Sequence, residues 1–93
     1  MNLIYSNKFI LSVKKFLKKN PDKIILLQRT LDNISNNPFD PVLRTHKLKG
    51  SLSDAWACRI DYKNRIVFSF EINEINNEKE ILLINIGTHS EVY

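Results

Sequence analysis

Residues 56–70 have the sequence WACRIDYKNRIVFSF, which predicts a β-hairpin. Apolar and polar residues alternate on both sides of a short polar segment, and this period of two is typical of strands with one buried face. The predicted apolar set is Trp56, Cys58, Ile60, Ile66, Phe68 and Phe70. Because residues directly opposite each other in a hairpin share a face, the two halves match if Asp61 pairs with Arg65 across residues 62–64. Arg59 and Arg65 would then lie diagonally on the exposed face.

The C-terminal segment continues the sheet and carries one of the two histidines. Residues 80–86 are apolar on both faces, which is typical of an interior strand covered by helices. The glycine that follows, Gly87, is expected to let the backbone leave the strand at an angle that other residues resist. His89 would then be presented from the sheet edge. The other histidine, His46, lies in the stretch THKLKG.

An edge strand and two helices are predicted before the hairpin. Residues 3–5 form the strand, and Ser6 is a suitable N-cap for the first helix. Asn20-Pro21-Asp22 ends that helix and begins the second, with the proline in the first turn. The apolar positions at helical spacing are Phe9, Ile10, Val13, Phe16 and Leu17 in the first helix, and Ile24, Ile25, Leu27, Leu31 and Ile34 in the second. After a break at residues 36–41, every remaining element is predicted to be a strand.

This order of elements predicts an α+β fold, in which an antiparallel pair of N-terminal helices packs on a curled antiparallel sheet with a mixed edge. A chain of 93 residues can bury one core, so residues 1–93 are predicted to form a single domain. Cys58 is the only cysteine, which excludes disulfide frameworks and zinc clusters within one chain, and it is predicted to lie in the core. The absence of a signal-like or membrane-length apolar run favours a cytoplasmic protein without a membrane partner.

The charge balance favours a polyanionic partner. Fourteen Lys and Arg residues against ten Asp and Glu residues give a formal net charge of +4. Such a surplus attracts phosphate backbones regardless of sequence. The alternative is a solvated lysine face, which would account for Lys14, Lys15, Lys18 and Lys19. Histidine together with arginine and lysine is nevertheless a combination suited to acid/base chemistry on a phosphodiester.

Four short matches in residues 46–93 resemble the RelE/ParE superfamily of bacterial toxins. They are His46-x-Leu48-x-Gly50, Trp56-x-x-Arg59-Ile60, Arg65-Ile66-Val67-Phe68 and Gly87-Thr88-His89-Ser90-x-x-Tyr93. The last match is similar to the ending of YafQ-type toxins, in which an aromatic residue also follows the histidine by four positions. Residues 1–40 match the superfamily only in their pattern of elements and in the proline-rich break.

The resemblance implies a ribosome-dependent mRNA endoribonuclease, or mRNA interferase, that needs no metal or other cofactor. A cognate antitoxin protein would silence it in a toxin–antitoxin hetero-oligomer. The resemblance implies that His89 is the general acid and His46 the general base, and that Arg59 and Arg65 stabilise the phosphorane with fixed charge. Tyr93 would stack on or orient the substrate nucleotide. Contacts to the RNA backbone would come from Lys47, Lys49 and Lys63.

The chain departs from the YafQ pattern at two site positions. Arg59 stands where that group has a further histidine, and Lys63 stands where it has an aspartate. The site is therefore expected to depend more on arginine, as in RelE and YoeB relatives, and the general base stays open between His46 and another group. In a straight strand His46 would share a face with Leu48, so reaching the site is expected to need an irregular strand start. The alternative roles for His46 are structural packing and positioning of the RNA backbone.

Two other functions are compatible with the same fold. One is a ParE-like inhibitor of DNA gyrase, and the other is a catalytically silent member that only binds its antitoxin or nucleic acid. Gyrase inhibition needs no acid/base residues, so the presence of His89 and of the arginine pair counts against it. The silent alternative differs from the nuclease only in cleavage. The alternative role for Tyr93 is to cap the core.

Overall fold

The computed structural model describes residues 1–52 and 54–93, which form three helices and a five-stranded sheet. The elements are β1 (Asn2–Tyr5), α1 (Asn7–Lys19), α2 (Ile24–Asn36), β2 (His46–Lys47), β3 (Trp56–Arg59), β4 (Asn64–Ile72), β5 (Lys79–Thr88) and α3 (His89–Val92). The strand order is β1-β5-β4-β3-β2, with β1 parallel to β5 and the other pairs antiparallel. This arrangement confirms the α+β fold with a mixed edge. None of the described helices is long and apolar enough to cross a membrane.

The N-terminal helices begin and end close to the predicted positions. The Ser6 side chain caps α1 by accepting a hydrogen bond of 3.0 Å from the Phe9 amide. Pro21 opens a 3-10 turn that runs directly into α2. Three residues of the predicted apolar stripes are exposed, because they lie beside the buried stripe and not on it: Ile10 (42%), Ile24 (47%) and Ile25 (56%).

The prediction that only strands follow the break was wrong. Two 3-10 turns, Pro41–Leu43 and Gly50–Leu52, lie on either side of the short strand β2. The chain also ends in the one-turn helix α3 instead of an extended strand. Such short elements span too few residues to show a periodic pattern in the sequence.

The hairpin of β3 and β4 forms in a different register from the predicted one. Arg59, not Asp61, pairs with Arg65, so the two arginines lie directly opposite each other and not diagonally. The Asp61 carboxylate accepts hydrogen bonds of 2.9 Å from the amides of both Lys63 and Asn64. Asp61 therefore caps the turn instead of pairing across it. A shift of two residues preserves the faces, so the predicted apolar set stays on one side.

The sheet buries apolar residues on both faces. The helix face packs against α1 and α2 and holds the main core, which includes Trp56, Cys58, Ile60, Ile66, Phe68, Phe70, Ile81 and Leu83. The opposite face, here called the open face, carries a smaller cluster formed by Ala55, Ala57, Val67, Val92, Leu48 and Ile84. Leu48 therefore packs on the open face. Its presence there removes the reason to expect an irregular strand start for His46.

Asp61 joins the hairpin turn to the helices, and its loss should destabilise the fold. Lys23 Nζ lies 2.7 Å from Asp61 Oδ2, and both side chains are partly buried. We expect Asp61→Ala to lower the free energy of unfolding by about 2–3 kcal/mol, because it removes charge-assisted and amide hydrogen bonds together. Asp61→Asn should cost less because its amide oxygen can still cap the turn. Urea unfolding measures both values.

The same contribution should depend on pH. Burial opposes ionisation, but the hydrogen bonds from Lys23 and the turn outweigh it and lower the pKa of Asp61 below its ordinary value of 3.8. Folding therefore favours the carboxylate, and the stabilisation is present above pH 3.8 and is lost as the pH falls through the folded-state pKa. The stability difference between wild type and Asp61→Asn should shrink on acidification. A difference that is constant down to the lowest pH would contradict this assignment.

Candidate active site

Two arginines face each other at one end of the open face. Arg65 pairs with Arg59 on one side and with Gly87 on the other, so one row crosses three strands. Arg65 Nη1 donates to the carbonyl oxygens of Asp61 at 2.8 Å and Asn64 at 3.1 Å. Like charges directly opposite each other in a sheet are destabilising. Arg65 lines a depression with His89, Arg59 lines another with Arg44, and Tyr62 borders both. An anion bound beside both arginines would relieve their repulsion.

The short helix α3 covers this row and carries two of the predicted site residues. Thr88 caps it, and Thr88 and Glu91 form a capping box in which the Thr88 amide donates to Glu91 Oε1 at 2.8 Å. This hydrogen bond lowers the pKa of Glu91. His89 and Tyr93 are therefore placed by a helical turn on the open face, and not by a strand edge as predicted.

The helix α3 is also tied to α1. Glu91 Oε2 lies 3.7 Å from the Nζ atoms of both Lys15 and Lys19. The predicted solvated face of α1 thus includes two exposed lysines that lie within ion-pair distance of α3. Glu91 is a functional residue that is not among the predicted ones, although the spacing Thr88-x-x-Glu91 is the signature of a capping box.

Gly87 is needed for space and not for an unusual backbone angle. Its φ is not in the positive range, unlike that of Gly50. A Cβ atom at position 87 would lie 3.0 Å from Glu91 Cβ and 3.1 Å from Glu91 Oε1. The prediction that Gly87 redirects the chain was therefore wrong, and its lack of a side chain lets α3 pack closely on β5.

Replacing Gly87 with alanine should displace α3. The added methyl group would press on the Cβ of Glu91, which belongs to the helix itself, so the clash cannot be relieved by a flexible side-chain end alone. We expect a loss of about 1–3 kcal/mol of stability from overpacking. We also expect His89 and Tyr93 to shift, which NMR chemical shifts of both rings would detect. Unchanged ring shifts would show that α3 is held without this close contact. Gly50→Ala separates crowding from backbone strain: nothing lies within 4 Å of an added Cβ there, so its cost comes from the positive φ of 70° and the ring shifts of His89 and Tyr93 should stay unchanged.

His46 reaches the site from the edge strand β2. It pairs with Ala57 and therefore lies on the open face with Arg59. Its Nδ1 atom lies 3.1 Å from the Arg44 carbonyl oxygen, and its Nε2 atom lies 3.3 Å from the Tyr93 hydroxyl. The structure thus brings together the N-terminal and C-terminal parts of the predicted site.

Tyr93 lies between the two histidines. Its ring packs edge-on against His89, with centroids 4.3 Å apart, and its hydroxyl reaches His46. Burial raises the pKa of Tyr93 above its ordinary value, despite the opposing charge of Arg65. The phenol therefore stays neutral at neutral pH and can donate a hydrogen bond. With 40% of its surface exposed, Tyr93 does not simply cap the core.

The three predicted RNA-binding lysines lie at different places. Lys63 is exposed in the hairpin turn and lines an open depression of about 540 Å³ with Arg65 and His89. Lys49 is exposed beyond β2. Lys47 pairs with Trp56 and so alternates away from His46. Among these lysines, Lys63 is the one that lines this depression. A larger depression of about 670 Å³, toward Ser69 and Leu82, contains neither histidine.

Cys58 lies in the core as predicted. It is fully buried, and burial raises the pKa of its thiol to about 12. A thiol in that state is not a nucleophile at neutral pH. Within residues 1–52 and 54–93, no group of three or more His, Cys, Asp or Glu side chains is arranged to hold a metal ion.

Comparisons with known proteins identify the family of the chain and agree with its fold. A family model described as YoeB-like toxin of bacterial type II toxin-antitoxin system matches residues 7–89. The YafQ toxin from E. coli strain BL21(DE3) superposes with a TM-score of 0.79 at 18% identity, covering 99% of this chain and 97% of that one. YafQ in the E. coli DinJ-YafQ toxin-antitoxin complex gives 0.72 at 17% identity, covering 99% and 96%.

A metal-bound toxin from Helicobacter pylori is more similar in sequence. It is 29% identical to this chain and superposes with a TM-score of 0.74, with 100% of this chain and 99% of that chain covered. The comparison with curated protein sequences gave no match. The solved structures thus share the whole fold. The family match includes β2 to β5 and leaves out β1, which lies outside the site.

Proposed function

Because the chain belongs to the YoeB-like toxins of bacterial type II toxin–antitoxin systems, we propose that it is a ribosome-dependent mRNA endoribonuclease. The observation that carries this proposal is the arginine row beside both histidines. Arg59 and Arg65 pair directly across β3 and β4 at a cost in repulsion, and both side chains are only partly exposed. Two neighbouring positive charges would stabilise a doubly charged phosphorane, and this role would account for the arrangement.

In the proposed reaction the 2′-hydroxyl of the substrate attacks the adjacent phosphorus. His46 takes the hydroxyl proton as the 2′-oxygen bonds to phosphorus, and Arg59 and Arg65 stabilise the charge that develops on the phosphorane. The bond from phosphorus to the 5′-oxygen then breaks, and His89 donates a proton to that leaving oxygen. The products are a 2′,3′-cyclic phosphate and a 5′-hydroxyl, and side chains supply all proton transfers without a metal.

Positioning of the substrate falls to the remaining residues of the site. The exposed edge of Tyr93 offers a surface against which a nucleotide base can stack. Lys63, which lines the same depression as His89, would contact the RNA backbone. Lys47 alternates to the sheet face opposite His46, and Lys49 lies beyond β2. Both would contact phosphates on either side of the one that is cleaved.

A cognate antitoxin is the proposed protein partner. A YafQ toxin of similar fold has been crystallised in a toxin–antitoxin complex with DinJ. The basic surface of this chain, with a net charge of +4, favours an acidic segment in such a partner. We propose that the antitoxin covers the site in a hetero-oligomer, and that the free toxin acts on cytoplasmic ribosomes.

A cleavage assay with purified protein tests the proposed function. Programmed ribosomes should show position-specific mRNA cleavage, whereas the same mRNA without ribosomes should stay intact. Growth inhibition without cleavage would overturn the nuclease and favour a silent binder. A DNA supercoiling assay on the same preparation then distinguishes a ParE-like effect on gyrase.

A further inference from the structure

Both ring nitrogens of His46 have partners, and one partner fixes the position of the proton. The Arg44 carbonyl oxygen, 3.1 Å from Nδ1, can only accept a hydrogen bond. Nδ1 must therefore carry a proton in either charge state of the ring. In the neutral ring the lone pair is then on Nε2, and the Tyr93 hydroxyl, 3.3 Å away, donates to it.

The Arg44 carbonyl is placed by an unusual backbone conformation. Arg44 has φ 50° and ψ 41°, in the left-handed region that residues other than glycine rarely adopt. The segment is held on both sides. The amide of Arg44 donates to Pro41 at 3.2 Å, the adjacent Leu43 is almost fully buried, and the Thr45 hydroxyl donates to the Pro38 carbonyl. Strain at one residue is thus imposed by anchored neighbours.

From this geometry we propose that Arg44 is a positioning residue, whose left-handed backbone holds His46 in the Nδ1–H tautomer and makes Nε2 the proton-accepting atom. The role as base rests on the proposed nuclease function, whereas the tautomer does not. When Nε2 takes the proton of the 2′-hydroxyl, Nδ1–H stays on the Arg44 carbonyl and that hydrogen bond becomes charge-assisted.

Tyr93 has a matching part in this arrangement. Its hydroxyl occupies Nε2 in the free protein, so it has to turn away before Nε2 can accept a proton from the substrate. A phenol that stays neutral cannot compete as the base. The substrate nucleotide, packed against the ring, would displace the hydroxyl from Nε2 as it binds.

Ring ¹⁵N NMR of the free protein tests the tautomer directly. At a pH where His46 is neutral, we expect a protonated Nδ1 and an unprotonated Nε2 in the wild type. Arg44→Gly should keep this spectrum because glycine adopts positive φ without strain, although it removes the whole side chain. Arg44→Val should give a mixture of tautomers because a β-branched residue resists the left-handed region.

Cleavage rates provide a second measurement. The single-turnover rate of Arg44→Val should be roughly 10-fold below that of Arg44→Gly, as a misplaced base requires. A wild-type ring protonated on Nε2, or identical tautomers in both variants, would overturn the proposal. If Arg44→Val does not fold, Arg44→Ala takes its place, because its Cβ atom also disfavours positive φ, and the wild-type spectrum still decides the tautomer. A wild type with the expected tautomer but no cleavage would overturn the nuclease function and leave the tautomer assignment standing.

Discussion

Replacement of His89 with alanine should reduce mRNA cleavage on ribosomes by roughly 10²–10⁴-fold, the usual contribution of a positioned general acid. His89 lines a depression with Arg65, and in the proposed reaction it donates a proton to the leaving 5′-oxygen of a phosphate bound there. The pH–rate profile should also lose one limb, because the variant has no group to donate that proton. Single-turnover cleavage on programmed ribosomes over a range of pH measures both effects.

His89→Gln is the matched control for packing. The His89 ring supports Tyr93, so alanine also removes an aromatic contact, whereas glutamine keeps a planar polar group that does not titrate. If proton donation is the role of His89, both variants should be equally slow. A glutamine variant that cleaves at nearly the wild-type rate would show that His89 only packs against Tyr93. A wild-type rate and pH profile in the alanine variant would favour the binding-only function.

The sequence was sufficient to predict the elements with strong periodicity. The two helices, the Ser6 cap and the faces of β3 and β4 follow from local rules that act over a few residues. The predicted apolar stripe of α2 includes Ile24 and Ile25, which are exposed, because an apolar residue at helical spacing need not contact the sheet. Which side of a helix is covered depends on tertiary packing, which a single sequence does not specify.

The hairpin register could not be derived from the apolar pattern alone. Registers two residues apart place the same side chains on the same face, so both satisfy the pattern. The choice is made by Asp61, whose carboxylate caps the turn and binds Lys23. That ion pair joins residues 38 positions apart in sequence, so no local sequence pattern predicts it.

The contacts that bring the predicted site residues together could be predicted only in part from the sequence. His46 shares a face with Leu48, and this excludes His46 from an open site only if the sheet has one apolar face, whereas here both faces carry apolar residues. The open face has its own small cluster, which includes Val92 of α3. This cluster is what brings α3, with His89 and Tyr93, onto the same face as His46.

Arg65→Ala should lower the cleavage rate by about 10²–10³-fold at every pH, since it removes fixed charge that never titrates. The effect should differ from that of His89→Ala in leaving the shape of the pH–rate profile unchanged. Arg65→Lys should restore only part of the rate, because one ammonium group cannot bind the turn carbonyls and a phosphate oxygen in the bidentate manner of a guanidinium. The same single-turnover assay measures all of these variants.

A structural role for Arg65 makes a control necessary. Its Nη1 atom binds carbonyl oxygens of the hairpin turn, so alanine also loosens that turn. Asp61→Ala disturbs the same turn from the other side and leaves the guanidinium charge in place. If Arg65 acts through charge, Asp61→Ala should lose stability but cleave far faster than Arg65→Ala at a temperature where both are folded. Equal losses of rate in the two variants would mean that the turn, and not the charge, is what the reaction needs from Arg65.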